Sequence, residues 1–253
     1  MRPRDFAIIA SAGDDDIPLI TCDALLGDRA LLVLAPHPDD ESLGCGAVLA
    51  QVFAQRGSGR KAHIICLTDG AASHPQSLAV PADRLAAIRQ TELVAAVEQL
   101  GGNASDISFM GAPDGALAAS RAIIDDVTAI ARAIGAGLVL APSPLDPHCD
   151  HVTAAEIGRR VAVSLQDIRL GFYPVWSRWH GGGVAPVPQG TQAVRMPTGK
   201  FATHKAAAIA AHVSQKGLVV PDAPDGFEMP PGFAAFFAQR DEIFFLDAPG
   251  ADP

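Results

Sequence analysis

Four short stretches of the chain are largely apolar: Ala30-Leu31-Leu32-Val33-Leu34-Ala35, His63-Ile64-Ile65-Cys66-Leu67-Thr68, Ile107-Ser108-Phe109-Met110 and Leu138-Val139-Leu140-Ala141. Alternation of apolar and polar residues marks a strand with one wet face. Continuous runs of this length instead suit strands buried on both faces, as in a parallel sheet. Helical patterns lie between them. Residues 43–54 are rich in Ala and Leu, and residues 121–134 end at Gly135. Residues 81–100 open on a proline and stop at Gly101-Gly102, a good start and stop for a helix. A fourth helix is expected over residues 151–165. Strand and helix alternate at intervals of roughly 30–40 residues, which predicts a doubly wound α/β fold with a mostly parallel sheet flanked by helices.

Past residue 165 the pattern weakens. Residues 170–176 read as a strand, and 180–199 as a Gly- and Pro-rich loop with a short strand at 193–196. Residues 200–213 read as a helix, 221–231 as a Pro-rich loop and 242–246 as a last strand. Residues 1–29 form an irregular, acidic N-terminal extension, and no repeat or linker divides residues 30–253, which are taken as one domain. The last third is expected to cover or border a site built by the first two thirds.

Composition narrows the function classes. At 253 residues and 49% hydrophobic, the chain can bury a core without disulfides. Lys and Arg number 19 against 28 Asp and Glu, a net charge of −9, which argues against a nucleic-acid partner. No apolar run approaches the ~18 residues of a membrane span. The N-terminus carries Asp14-Asp15-Asp16 and lacks the order of a signal peptide. Cys22, Cys45, Cys66 and Cys149 are far apart, with no C-x-x-C pair, so neither a cysteine-rich zinc module nor a disulfide framework is expected. A cytoplasmic location is the expectation.

Two segments carry the chemistry. The first, His37-Pro38-Asp39-Asp40-Glu41, follows the first strand directly, and ligands of open parallel sheets bind beyond the carboxyl ends of strands. One imidazole and three carboxylates in five residues conflict unless something neutralises them. A divalent cation does so, and an imidazole–carboxylate set suits zinc or a similar metal. His37 and Asp40, three apart, can reach one ion, leaving Asp39 close by as a general base. Asp39 or Asp40 could instead cap the following helix. Both readings stay open, for different residues.

The second segment, Asp146-Pro147-His148-Cys149-Asp150-His151, follows the strand at 138–141. With His151, the ligand set His37, Asp40 and His151 leaves a fourth position open, as catalytic zinc sites do. His148 can then face the substrate as electrophile or acid, tuned by Asp150. The plain alternative is a surface loop with Asp150 as helix cap.

These two segments together resemble those of the PIG-L/LmbE-like deacetylases. Leu67-Thr68-Asp69-Gly70, Arg89, Glu92, Leu100-Gly101, Pro113-Asp114-Gly115 and Lys205 with His212, Ser214 and Gln215 resemble further family positions. The resemblance covers residues 30–217. It implies an LmbE-like, Rossmann-like fold and zinc-dependent removal of an N-acetyl group from an N-acetylglucosamine-like or other acetamido sugar conjugate. It implies His37, Asp40 and His151 as Zn2+ ligands (Fe2+ fits the same donors), Asp39 as general base, His148 as oxyanion stabiliser or acid, and Asp150 as its orienter. It places Arg89 and Asp114 on sugar hydroxyls. Many members have proline where this chain has Cys149.

Other signals carry less. Leu43-Gly44-Cys45-Gly46 resembles a methyltransferase glycine motif, but it falls in a helix rather than at a strand end. Its glycines are expected to permit close packing. Cys45 and Cys66 are read as core, and His74, His180 and His204 as surface. Trp176 and Trp179 are candidates for stacking on a sugar or for packing. Two rivals remain: an amidase or esterase on a non-sugar substrate, and a non-catalytic sugar- or metal-binding relative.

Overall fold

The computed structural model describes residues 16–165, 167–183 and 185–247. Seven strands form one sheet, in the order β3-β2-β1-β4-β5-β7-β6. They are β1 (Ala30–Ala35), β2 (Ala62–Thr68), β3 (Ile107–Ala112), β4 (Ala136–Pro142), β5 (Arg169–Tyr173), β6 (Thr191–Met196) and β7 (Glu242–Asp247). The first five run parallel. β7 is antiparallel to both β5 and β6. The strand order reverses between β1 and β4, so their carboxyl ends diverge there and leave a crevice.

Three of the apolar runs are strands covered on both faces; the fourth, β3, lies at the sheet edge with Phe109 and Gly111 exposed and Ser108 and Met110 half-buried, so the expectation of burial on both faces fails there. Leu31, Val33 and Ala35 face one apolar layer, while Leu32 and Leu34 face the other. The first layer is closed by helices α2 (Asp40–Ala54), α3 (Ala82–Gln99), α7 (Ala202–Ala211) and α8 (Phe233–Gln239). The second is closed by α4 (Arg121–Ile134) and α5 (Cys149–Ser164). Two short helices, α1 (Cys22–Leu26) and α6 (Trp176–His180), complete the set. Every side chain of β1 is at least 94% buried, so an alternating pattern there would have cost stability.

Three details differ from the expectation. Part of the expected lead-in is built into the fold. α1 buries Cys22, Leu25 and Leu26, and Leu19 bridges to Arg195 at the β6 edge, continuing the sheet. Residues 1–15 of that lead-in lie outside the described residues. The chain after β5 also turns straight into α6 rather than remaining extended to residue 176. Third, α8 occupies a stretch for which no helix was expected, because its Phe and Ala content has no clear polar face.

The glycines of α2 behave as expected. A Cβ on Gly44 would overlap the Tyr173 ring, and one on Gly46 would lie 2.9 Å from Cγ of Lys205. Lys205 itself is buried, with its Nζ 2.8 Å from Glu242 Oε1. Glu242 also accepts from the backbone N–H groups of Ala47 (2.7 Å) and Val48 (2.9 Å). A buried ion pair stabilises little by itself, but removing one partner strands the other. Here it pins α7 and β7 to the middle of α2. No helix among the described residues is long and apolar enough to cross a membrane.

Candidate active site

The carboxyl ends of β1, β2, β3 and β4 open on the same side and deliver the chemistry-bearing residues. Asp39 forms the turn out of β1 with φ 142°, the only positive φ at a non-glycine among the described residues. It occupies the N-cap position of α2, yet its carboxylate makes no capping bond. That carboxylate instead meets Arg89 Nη2 at 3.3 Å. Asp40 does not cap either. Its Oδ2 accepts from the His37 backbone N–H at 3.0 Å and lies 3.2 Å from His37 Nδ1. Its Oδ1 lies 3.3 Å from His151 Nε2. The capping alternative therefore fails for both side chains.

At the second loop α5 begins at Cys149, two residues before the expected start, and its cap is His148 rather than Asp150. His148 Nδ1 accepts from the Asp150 backbone N–H at 3.2 Å. A neutral His148 so engaged carries its proton on Nε2. Asp150 was expected to orient His148. Its carboxylate turns to His37 instead, with Oδ2 3.1 Å from Nε2, and accepts from Gly115 N (2.7 Å) and Leu117 N (3.0 Å). Two backbone donors and an imidazole hold it there more strongly than one half-buried ring could. Asp114 Oδ1 also lies 3.1 Å from His37 Nε2.

Each central histidine thus has one nitrogen on a carboxylate behind it and the other facing Asp40. For His151 the rear partner is Asp146, 2.9 Å from Nδ1. Asp146 is itself fixed by the backbone N–H groups of Val175 (3.0 Å), Trp176 (3.3 Å) and Ser177 (2.9 Å). This is the arrangement in which a second ring of carboxylates orients metal-binding imidazoles. His151 Nε2 is fully buried and has no hydrogen-bond partner. An orphaned buried nitrogen is costly unless something fills the gap. Ligands on a tetrahedral ion with bonds of ~2.0–2.1 Å stand about 3.4 Å apart. Asp40 places Oδ2 3.2 Å from His37 Nδ1 and its other oxygen, Oδ1, 3.3 Å from His151 Nε2. His148 adds a third imidazole, with one nitrogen each of His37, His148 and His151 mutually within 4.8 Å. Imidazole and carboxylate donors grouped in this way can hold a metal ion.

Charges follow from these contacts. Burial alone would lower the pKa of His37, but Asp114, Asp150 and Asp40 raise it well above the ordinary imidazole value. His151 is raised to about 9, Asp40 and Asp146 outweighing its burial. Burial lifts Asp39 to about 6 against the opposing pull of Arg89. Asp40 goes the other way. Burial would raise it, but His151 and His37 hold it well below the carboxylate range. His148 is lowered by burial and by the neighbouring histidines, which keeps it neutral.

A cavity of about 470 Å³ opens over these groups. His37, Asp39, Asp40 and His148 line one end, and Trp176, Phe227, Met229 and Phe233 line it as well. A family model described as GlcNAc-PI de-N-acetylase, PIG-L, matches residues 32–162, both histidine loops included. The chain belongs to the PIG-L family. A 1D-myo-inositol 2-acetamido-2-deoxy-alpha-D-glucopyranoside deacetylase of Kineococcus radiotolerans is 36% identical over 106 residues, 40% of this chain. The match spans only 27% of that relative's length. Solved structures share the fold. A deacetylase of the teicoplanin biosynthetic pathway, a triple mutant, superposes with a TM-score of 0.64 at 20% identity, over 87% of this chain and 98% of that one. The N,N'-diacetylchitobiose deacetylase of Pyrococcus horikoshii has a TM-score of 0.55 at 24% identity, over 74% and 70% of the two chains.

Within this PIG-L site, Arg89 and Asp114 already have partners where contacts to sugar hydroxyls were expected. Arg89 donates to Gly70 O and Pro38 O, both at 2.8 Å, and pairs with Asp39. Asp114 Oδ2 accepts from Ala72 N at 2.9 Å while Oδ1 serves His37. Both still line the cavity. Sequence reasoning assigned no role to Asp146, although it stands five residues before His151. It also missed Glu41, which is fully buried; Oε2 accepts from Asp39 N at 3.0 Å and Oε1 faces His212 Nε2 at 3.2 Å. His74 is buried rather than at the surface, because residues 222–227 lie over it and leave Gly226 no room for a Cβ. Cys149 is exposed, and Cys45 and Cys66 are core, as expected.

Proposed function

We propose that this chain is a metal-dependent hydrolase that removes an N-acetyl group from a GlcNAc-like or other acetamido sugar conjugate. The observation that carries the reading is the buried His151 Nε2, which makes no hydrogen bond and lies 3.3 Å from Asp40, in a cluster with His37 and the Asp39 carboxylate. His37, Asp40 and His151 would hold the ion, Zn2+ or Fe2+, with His148 at its edge. A bound divalent ion supplies Lewis acidity and makes water acidic enough to ionise near neutral pH. The rest falls to the chain's own groups. Asp39 accepts a proton from the attacking water at a carboxylate oxygen, and Arg89 holds that carboxylate in place. His148 donates from Nε2 to the amide oxygen as it gains charge. Water adds to the carbonyl carbon, the C–N bond breaks, and the amine leaves with the proton that Asp39 took up. Acetate and a free amino sugar result.

A second reading, an amidase or esterase on a non-sugar substrate, draws on the prior commitments of Arg89 and Asp114. The test is acetate release from N-acetylglucosamine glycosides and from simple acetanilides, with protein reconstituted with Zn2+ or with Fe2+. Release from the glycosides supports the deacetylase, and release from anilides alone supports the second reading. Full activity of metal-loaded Asp39→Ala would remove Asp39 from the mechanism.

A further inference from the structure

We infer that the cavity contains a second subsite, built for an apolar and preferably aromatic group on the leaving amine's carrier. The inference rests on the deacetylase reading and names the kind of conjugate it acts on. Away from the metal-facing end, Trp176, Phe227, Met229 and Phe233 line the cavity together with polar Ser73, Gln215 and Asp225. The Trp176 ring lies 4.9 Å from Phe233 at an interplanar angle of 33° and 5.7 Å from Phe227 at 82°. Two rings at nearly a right angle form a corner. A pyranose presents one flat C–H face and rings itself with hydroxyls, so it uses one ring and leaves the other wet. An aryl group meets one ring face-on and the other edge-on, the two geometries that aromatic pairs prefer. Met229 and Phe233 are buried behind them and give the corner an apolar floor, while Trp176 and Phe227 keep partly open faces.

The corner is fixed to the reaction centre. The Trp176 backbone N–H donates to Asp146 Oδ2, the same oxygen that receives His151 Nδ1. Phe227 N–H donates to Ser73 O at 2.7 Å, and Met229 N–H to Gln215 O at 2.8 Å. A ring seated there stands at a set place relative to the metal-facing histidines. The volume agrees. A cavity of about 470 Å³ far exceeds an acetyl group and falls in the ~300–1,000 Å³ range of sites that enclose drug-sized ligands. Gln215, whose buried Oε1 has no partner, is left to take a sugar hydroxyl, and the aromatic corner adds a separate contact for the aglycone.

The experiment compares 4-nitrophenyl and methyl 2-acetamido-2-deoxy-glucosides on the metal-loaded protein, by calorimetric titration and by acetate release. The aryl glycoside is expected to bind about tenfold more tightly and to show a correspondingly higher kcat/KM. Phe227→Ala and Trp176→Ala each bring the aryl-to-methyl ratio towards one. Phe227 stands on a surface strap, so its variant keeps the test valid should Trp176→Ala fail to fold. Equal binding of the two glycosides by the wild type, or a ratio that survives both substitutions, overturns the subsite. Turnover of both glycosides at equal rates overturns the subsite and leaves the deacetylase standing. Tighter aryl binding without acetate release supports the subsite and overturns the deacetylase.

Discussion

The floor and the roof of the cavity are built by different means. The floor comes from the ends of β1 and β4, the two strands on either side of the reversal in strand order. There His37, Asp40 and His151 are each held by at least two polar contacts, with Asp146 and Asp150 behind them anchored on backbone N–H groups. The roof comes from α6 and residues 217–233. Aromatic rings hold it, together with a few loop hydrogen bonds such as Asp222 accepting from Leu78 N and Ala79 N. Polar networks fix directions to a few tenths of an ångström, whereas apolar contacts fix only proximity. On the proposed reading, chemistry belongs to the floor and selectivity to the roof, where substitutions would leave the histidine and carboxylate cluster undisturbed.

The sharpest break would come at the floor. His151→Ala, or removal of metal with a chelator, is expected to lower deacetylation more than about a thousandfold, and only in the variant should added zinc fail to restore it. Asp39→Asn should retain metal but lose about 10²–10⁴-fold in kcat, read from metal analysis and steady-state rates on one preparation. Asp146→Asn and Asp150→Asn touch no substrate and should weaken metal binding about 10–100-fold, seen in competition with a chromogenic chelator.

Protonation gives a graded test of the same floor. His151 is raised from 6.5 to about 9, so in metal-free protein its stabilisation is full below pH 6.5 and fades as pH rises through 9. Asp39 runs the same way in a lower window. A carboxyl raised to about 6 favours the fold most when protonated, and its contribution falls between pH 4 and 6. Denaturant melts of metal-free protein should lose stability as pH rises from 6.5 to 9, and His151→Ala should make that slope shallower without removing it, because His37 and His212 are raised as well. At the roof the effect is smallest. Asp222→Ala should shift Tm by only about 1–2 °C and leave metal content unchanged; loss of metal would show that floor and roof are not separable.

Much of the floor was legible because strand ends are easy to find. A continuous apolar run followed at once by His-x-Asp-Asp marks both a buried strand and a site at its carboxyl end. Partners were harder to read. Arg89 was taken for a substrate contact, yet Leu85, Arg89, Glu92 and Ala96 share the buried face of α3 at helical spacing. That face holds charged residues because each meets polar partners: Arg89 meets Asp39, Gly70 O and Pro38 O, and Glu92 accepts from Ser214 N and Oγ. Glu41 and His212 pair across 171 positions of sequence, and no local pattern encodes such a match. The roof was the least legible part. Loops have no period, and Phe227 and Trp176 meet only because Asp146 and Ser73 capture their backbones.

The twisted backbone at Asp39 has a consequence for anyone breeding sturdier forms of this protein. A side chain at φ 142° sits where glycine alone is comfortable, at a cost of about 1–3 kcal/mol. Asp39→Gly would relieve that strain, but it takes the carboxylate away from the buried Arg89 guanidinium, and stranding a buried charge costs about 3–5 kcal/mol. Selection for heat resistance is therefore expected to leave this position alone unless Arg89 changes with it. Melting temperature beside acetate release, read for Asp39→Gly with and without Arg89→Leu, would show the charge pair guarding the strained residue.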